Sequence, residues 1–142
     1  MASLFFIYTT VNNNQHNNKM ILLDGKKTSA DIKEEIALEV LELKNNDKKT
    51  PHLAAIIVGN DGASLTYVNA KVKACDRVGF ESSLIRLPEE TTEEELLNEI
   101  AILNIDNDID GFIVQLPLPD HIDEHKVLMA VNPDQDVDGF HP

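Results

Sequence analysis

Cysteine and aromatic residues are scarce in this sequence. Its 142 residues include one cysteine, Cys75, no tryptophan and only 5% aromatic residues. A single cysteine excludes an intrachain disulfide framework and a cysteine-rich zinc site, and it is typical of proteins in a reducing compartment. We therefore expect a cytoplasmic protein without a metal site.

Positive charge is scarce as well. The chain has 12 Lys and Arg against 25 Asp and Glu, which gives a formal net charge of -13. This charge repels the phosphodiester backbone of nucleic acids and anionic lipid surfaces. The apolar run at residues 4–8 is too short for a secretory signal or a membrane span. Neither nucleic acid nor a membrane is therefore expected as a partner.

Two further signatures are missing. No G-x-G-x-x-G fingerprint occurs, so we expect no nicotinamide-binding site in this chain, and no internal repeat indicates a solenoid.

Residues 1–19 include an asparagine-rich stretch and are expected to be a disordered leader or an over-extended start, with an ordinary frayed tail as the alternative. Residues 20–142 are expected to fold as one domain, because the chain is 42% hydrophobic.

The folded part alternates between helical and strand patterns. The predicted elements are a helix over 27–46, a strand over 53–58, a helix over 63–78, a strand over 80–87, a helix from a capping box at 92–95 to residue 103, a strand over 111–116 and a helix over 124–131. Thr28 or Ser29 can cap the first helix, and Gly79 is suited to the left-handed conformation just past the end of the helix over 63–78. This order predicts an α/β fold, namely a three-layer domain with a mostly parallel sheet covered on both faces.

Polar residues follow the carboxyl ends of the predicted strands, where ligands of parallel sheets collect. Ser64, Tyr67 and Lys71 come after the first strand at spacings of three and four, which places them on one face of a helix. A tyrosine can stack on a planar ligand, and a lysine beside it can take part in proton transfer. The alternative is a solvated helix face. Cys75, farther along the same stripe, is expected to be a packing residue.

Two more polar positions complete the candidate site. Gln115 closes an apolar strand, and its desolvated amide needs a partner, which can be a ligand, Lys71 or a turn. Residues 134–139 have the spacing of half an EF-hand calcium loop, but the chain ends before the bidentate glutamate would occur. An acidic loop that clamps a substrate explains them better, with Asp138 accepting paired hydrogen bonds from an amino-pyrimidine-like edge.

Four segments, taken in order, resemble the tetrahydrofolate dehydrogenase/cyclohydrolase family. They are residues 23–26 (LDGK), 64–71 (SLTYVNAK), 110–119 (DGFIVQLPLP) and 133–140 (PDQDVDGF). The resemblance implies the folate-binding catalytic domain of a bifunctional enzyme. That enzyme oxidises 5,10-methylenetetrahydrofolate to 5,10-methenyltetrahydrofolate with NADP and hydrolyses the product to 10-formyltetrahydrofolate. It also implies a homodimer at full length and a following nicotinamide-binding Rossmann domain, which these 142 residues lack.

The resemblance assigns a role to each candidate residue. Tyr67 would stack on the folate, and Lys71 would be the central catalytic residue. Gln115 would position and tune Lys71, and Asp138 would hold the pterin. Ser64 would help to orient Lys71 or a bound water. No residue of this chain would bind NADP.

Three alternatives stand beside this interpretation. Short-chain dehydrogenases share the Tyr-x-x-x-Lys pattern of Tyr67 and Lys71, but they resemble this chain less because their Gly-rich turn and upstream serine are missing. A truncated folate-binding or oligomerising fragment without catalytic activity would keep the same binding residues. A calcium-binding module would gain stability when Ca²⁺ is added.

Overall fold

The computed structural model describes residues 24–141. The expectations for residues 1–23, including the leader, and for Pro142 lie outside the described residues. Helices and strands alternate along the described chain. They are α1 (Gly25–Asn45), β1 (His52–Val58), α2 (Gly62–Val78), β2 (Glu81–Leu87), α3 (Glu93–Leu103), β3 (Gly111–Val114) and α4 (Glu124–Ala130). Every predicted element is present in the predicted order.

The strands form one parallel sheet in the order β2-β1-β3. The central strand β1 is buried on both sides, because Ile56 belongs to the core on one face and Ile57 to the core on the other. A parallel strand of this kind needs helical cover on both faces. The predicted α/β fold, with helices on either side of a parallel sheet, is therefore confirmed.

The two faces of the sheet carry different helices. On the first, which we call the closed face, α3 and α4 contribute Leu96, Ile100 and Val127 to a core that also contains Phe112. On the second, the α2 face, Val68 of α2 packs on the sheet, and α1 packs against α2. The candidate residues of α2 therefore belong to the less deeply packed side.

Two helix ends follow the predicted signals. Gly79 has a φ of 83° and ends α2 in the left-handed conformation that glycine tolerates. At α3 the Thr92 side chain accepts the Glu95 N–H while the Glu95 carboxylate accepts the Thr92 N–H, which completes the capping box. Both local predictions are confirmed.

The cap of the first helix was predicted wrongly. α1 begins at Gly25, and the carboxylate of Asp24 accepts the Lys27 N–H at 3.0 Å. Aspartate is at least as good a cap as Thr28 or Ser29, and an earlier cap adds backbone hydrogen bonds to the helix. The helix therefore starts two residues before the predicted position.

The third strand is also shorter than predicted. β3 ends at Val114, although the next N–H, that of Gln115, still donates to the Ile56 carbonyl at 2.8 Å. Pro117 has no N–H with which to continue a ladder of hydrogen bonds. Gln115 therefore lies at the first position beyond the strand, on the loop that leaves the sheet.

Candidate functional site

The carboxyl ends of the three strands meet at one edge of the sheet. A cavity of about 370 Å³ opens there, lined by residues 58–61 at the end of β1, Glu89 after β2 and residues 117–119 after β3. The sequence predicts ligand binding at these strand ends, but none of the predicted site residues is among those that line this cavity. Asp61 and Glu89 make this part of the edge acidic.

The first turn of α2 is fixed by a cap at that edge. The Asp61 carboxylate accepts the Ser64 N–H at 2.7 Å, and hydrogen bonds from Ser64 hold the pKa of Asp61 below its ordinary value. Ser64 itself is buried, and its hydroxyl donates to the Leu116 carbonyl at 3.5 Å. One turn later Tyr67 is 64% exposed, so its ring is accessible for stacking.

Lys71 and Asp138 come together although they are far apart in the sequence. The Lys71 Nζ lies 3.7 Å from Asp138 Oδ1, and the two side chains are 37% and 30% exposed. A cation and an anion are thus adjacent on a partly open surface, one turn of α2 from Tyr67. This arrangement offers an acceptor for the donor edge of a heterocycle, a donor for its polar atoms and an aromatic face.

Gln115 lies close to Ser64 in a second polar cluster. Its Nε2 donates to the Leu116 carbonyl at 2.7 Å, the same carbonyl that Ser64 contacts. Its Oε1 is buried and has no hydrogen-bond partner among the described residues. A buried amide oxygen without a donor is costly, so this atom marks a position at which a donor from a ligand would be stabilising.

The two clusters are not joined directly. Within residues 24–141, no hydrogen bond connects Lys71 with Gln115 or with Ser64. The structure therefore brings Lys71 to Asp138 and Ser64 to Gln115. The expected roles of Gln115 and Ser64 in orienting Lys71 stay predictions.

Asp136 is a residue that the sequence analysis did not single out. Its Oδ1 accepts the N–H groups of Asp138 and Gly139 at 3.1 and 3.0 Å, and its Oδ2 accepts that of His141 at 2.8 Å. These bonds, led by that from His141, hold the pKa of Asp136 below its ordinary value. The signal that could have identified Asp136 is its place two residues before Asp138 and three before Gly139. An aspartate at such a position often accepts the backbone N–H groups of the turn that follows it.

Other features of the described chain bear on the remaining expectations. Cys75 is buried, and burial followed by the charge of Asp76 raises the pKa of its thiol, as suits the predicted packing residue. Among residues 24–141, no group of three or more His, Cys, Asp or Glu is arranged to hold a metal ion. No helix in this part of the chain has both the length and the apolar character needed to cross a membrane.

The start of α2 does not fit the phosphates of a dinucleotide. A helix N-terminus after a central strand is where a pyrophosphate would bind in a nucleotide-binding α/β domain. Here the Asp61 carboxylate already accepts the Ser64 N–H, and Glu89 lines the same cavity. Two carboxylates would repel a pyrophosphate. The residues described here are therefore unsuited to hold NADP at this position.

Known proteins are similar to this chain in sequence. The family model described as tetrahydrofolate dehydrogenase/cyclohydrolase, catalytic domain, matches residues 23–138. The bifunctional protein FolD of Flavobacterium psychrophilum is 66% identical over 123 residues, which are 87% of this chain and 42% of that protein. The chain thus spans less than half the length of the curated relatives it matches.

Solved structures are similar as well. The bifunctional FolD methylenetetrahydrofolate dehydrogenase/cyclohydrolase from Campylobacter jejuni matches with a TM-score of 0.82 and 47% identity, over 86% of this chain and 43% of that chain. The Trypanosoma brucei N5,N10-methylenetetrahydrofolate dehydrogenase-cyclohydrolase, solved with NADP and an inhibitor, matches with a TM-score of 0.76 and 35% identity, over 82% and 39% of the two chains. The fold and the sequence thus point to the same relatives.

Proposed function

Because the chain belongs to the tetrahydrofolate dehydrogenase/cyclohydrolase family, we propose that it supplies the folate site and the catalytic lysine of an enzyme of folate one-carbon interconversion. This enzyme oxidises methylenetetrahydrofolate to methenyltetrahydrofolate with NADP and hydrolyses the latter to 10-formyltetrahydrofolate. The observation that carries the proposal is the pairing of Lys71 with Asp138, 3.7 Å apart, beside an exposed Tyr67.

Folate recognition follows from the groups that this surface offers. A pterin presents an amino-pyrimidine edge rich in donors, which suits the two-oxygen acceptor Asp138. Its flat ring system suits the exposed face of Tyr67. The buried Oε1 of Gln115 provides a further acceptor at the strand end. Ser64 anchors the neighbouring Leu116 carbonyl, which keeps the Gln115 amide in place.

The hydrolytic step needs proton transfer at a partly open site. A water oxygen bonds to the cationic methenyl carbon and loses a proton. The bond from this carbon to N5 then breaks as N5 takes up a proton and the hydroxyl on the carbon loses its proton to become the formyl C=O. The formyl group stays on N10, and one proton is released overall. Lys71 is placed to assist these transfers, and Asp138 holds its ammonium group in the cleft.

The oxidative step needs a second reactant, and NADP supplies the hydride acceptor when it is bound. The acidic start of α2 does not fit its phosphates. Residues 24–141 therefore contribute to this step by holding and orienting the folate.

Three broader statements belong to the same proposal. Residues 20–142 form the catalytic domain, the full-length enzyme is a homodimer, and its partners do not include nucleic acid. A cytoplasmic location is supported by the single, buried cysteine.

The test compares two lysines of α2. Lys71→Met should lower methenyltetrahydrofolate hydrolysis by about 10²–10⁴-fold, the usual contribution of a general acid or base, with little change in the free energy of unfolding. Lys73→Met is the matched control, since Lys73 is exposed two residues along the same helix. Near wild-type hydrolysis by the Lys71 variant would refute the assigned role.

A second candidate function needs only the binding groups of this surface, namely Asp138, the exposed ring of Tyr67 and the buried Oε1 of Gln115. A folate-binding fragment without catalytic activity would titrate with tetrahydrofolate under reducing conditions but would not hydrolyse methenyltetrahydrofolate. Saturable binding by the wild type together with no measurable hydrolysis would decide for this candidate.

A further inference from the structure

The loop after α4 is shaped by one carboxylate. Asp136 accepts three backbone hydrogen bonds, from Asp138, Gly139 and His141, at distances of 2.8 to 3.1 Å. Gly139, inside this turn, has a φ of 71°, a left-handed conformation that glycine adopts without strain. The direction in which Asp138 leaves the loop is therefore determined by the turn that Asp136 closes.

The base of the same turn is attached to the sheet. The Phe112 N–H donates to the Gln135 carbonyl at 3.0 Å, and Asp136 forms a parallel bridge with Phe112 at the outer edge of β3. Gly111 lies so close that an added Cβ would approach Val137 Cγ1 to 2.4 Å. Asp136 thus connects a backbone held by the sheet to a turn that carries Asp138.

We propose that Asp136 is a positioning residue of the folate site, which holds the Asp138 carboxylate beside Lys71 and in the orientation that receives the pterin. The inference rests on the proposed function, because it concerns the same site. Asp136 need not touch the folate, since it acts through the backbone of Asp138. Truncating it would let the turn sample other conformations, and the cost of ordering the turn would then be added to folate binding.

The test is a double-mutant cycle in the full chain, read by calorimetric titration with tetrahydrofolate under reducing conditions. Asp136→Ala should raise the dissociation constant about tenfold in the wild-type background, as expected for residues that share one hydrogen-bonded network. In an Asp138→Asn background the same change should cost less than about twofold, because the carboxylate to be positioned is already gone. Asp134→Ala is the matched control, since Asp134 is exposed in the same loop.

Asp136→Asn is a second, milder variant. Its amide oxygen can still accept from Asp138 and Gly139, while its NH₂ group faces the N–H of His141 that Oδ2 accepts in the wild type. We expect an affinity between those of the wild type and the alanine variant. This variant keeps the test decisive if Asp136→Ala fails to fold.

The outcomes separate the two proposals. If Asp136→Ala weakened tetrahydrofolate binding equally in the wild-type and Asp138→Asn backgrounds, Asp136 would act through general stability, and this inference would be wrong. Unchanged affinity in both Asp136 variants, alongside weaker binding by Asp138→Asn, would also overturn it while leaving the proposed function intact. Absence of tetrahydrofolate binding by the wild type would overturn the proposed function and this inference with it.

Discussion

Among residues 24–141, the core on the closed face contains 13 buried hydrophobic residues, whereas the core on the α2 face contains four. The site residues Ser64, Tyr67 and Lys71 all belong to α2. Hydrophobic stabilisation scales with buried apolar area, so most of it comes from the side of the sheet that has no candidate site residue. The α2 side can therefore expose polar groups to a ligand without weakening the larger core.

The outermost helix extends this contrast. α1 has 21 residues, of which Val40 alone is buried, while Leu38 and Leu41 are 68% and 53% exposed. Ile32, nearer the start of α1, is also 49% exposed, so the apolar residues of this helix are covered over only part of its length. Most of the side-chain area of α1 contributes little to the core described here.

The largest expected effect is on the free energy of unfolding, and it compares a leucine of the closed face with one of α1. Leu96 of α3 is fully buried on the closed face, and Leu96→Ala should lower the free energy of unfolding by about 2–5 kcal/mol through lost burial and a residual cavity. Leu38→Ala on α1 should change it by less than about 0.5 kcal/mol, because that side chain is exposed. Urea unfolding followed by circular dichroism measures both values.

A large fall in the free energy of unfolding of Leu38→Ala would contradict this comparison. It would mean that the outer face of α1 is covered in the protein as it exists in solution. A small loss at Leu96 would instead mean that the closed face relaxes around the deletion, which a well-packed core does only in part.

The next effect concerns binding on the α2 side. Asp138→Asn replaces an acceptor by a group that also presents donors to the pterin, and it removes the ion pair with Lys71. Tetrahydrofolate binding should weaken by roughly 1.5–3 kcal/mol, the range for hydrogen bonds to a charged group. Calorimetric titration measures the change, and unfolding by urea should barely change.

Asp134→Asn is the control for that substitution. Asp134 lies in the same loop, and its side chain makes no hydrogen bond within residues 24–141. Unchanged affinity in Asp138→Asn would show that Asp138 does not hold the pterin. An equal loss of affinity in Asp134→Asn would show that the loop acts on folate through its overall charge.

The elements of this fold could be predicted because their signals are local. The apolar run of β1, the capping box at Thr92 and the glycine after α2 each lie within a few neighbouring residues, and all three were identified correctly. The cap of α1 was missed because Asp24, Thr28 and Ser29 are all able to cap a helix. Sequence alone does not decide among adjacent residues of similar capping strength.

The candidate site was harder to predict, because its contacts join residues that are far apart in the sequence. Spacing alone placed Tyr67 and Lys71 on one helical face. The family resemblance assigned Asp138 to the pterin, and neither it nor the spacing predicted that Asp138 lies beside Lys71. The shared contact of Ser64 and Gln115 with the Leu116 carbonyl arises where a helix start meets a strand end. No periodic pattern encodes such a meeting, because it is set by the packing of α2 on the sheet.

The smallest expected effect compares two threonines in helices on opposite faces. Thr92→Ala at the start of α3 removes the hydroxyl that accepts the Glu95 N–H, and the free energy of unfolding should fall by about 1 kcal/mol. Thr66→Ala within α2 should be neutral or slightly stabilising, since the Thr66 hydroxyl only donates back to the Gly62 carbonyl and alanine favours helices more strongly.

The effect of Thr92 should also depend on pH. Hydrogen bonds from the Thr92 backbone and then from its hydroxyl lower the pKa of Glu95 in the folded state. That part of the stabilisation is present above the ordinary glutamate pKa, about 4.3, and is lost as the pH falls through the lowered value. The alanine variant keeps the backbone bond but loses the hydroxyl bond to the carboxylate, so the difference between wild type and variant should shrink in acid. Urea unfolding between about pH 7 and about pH 3 tests this, and a difference that grew in acid would show that the hydroxyl does not favour the ionised form of Glu95.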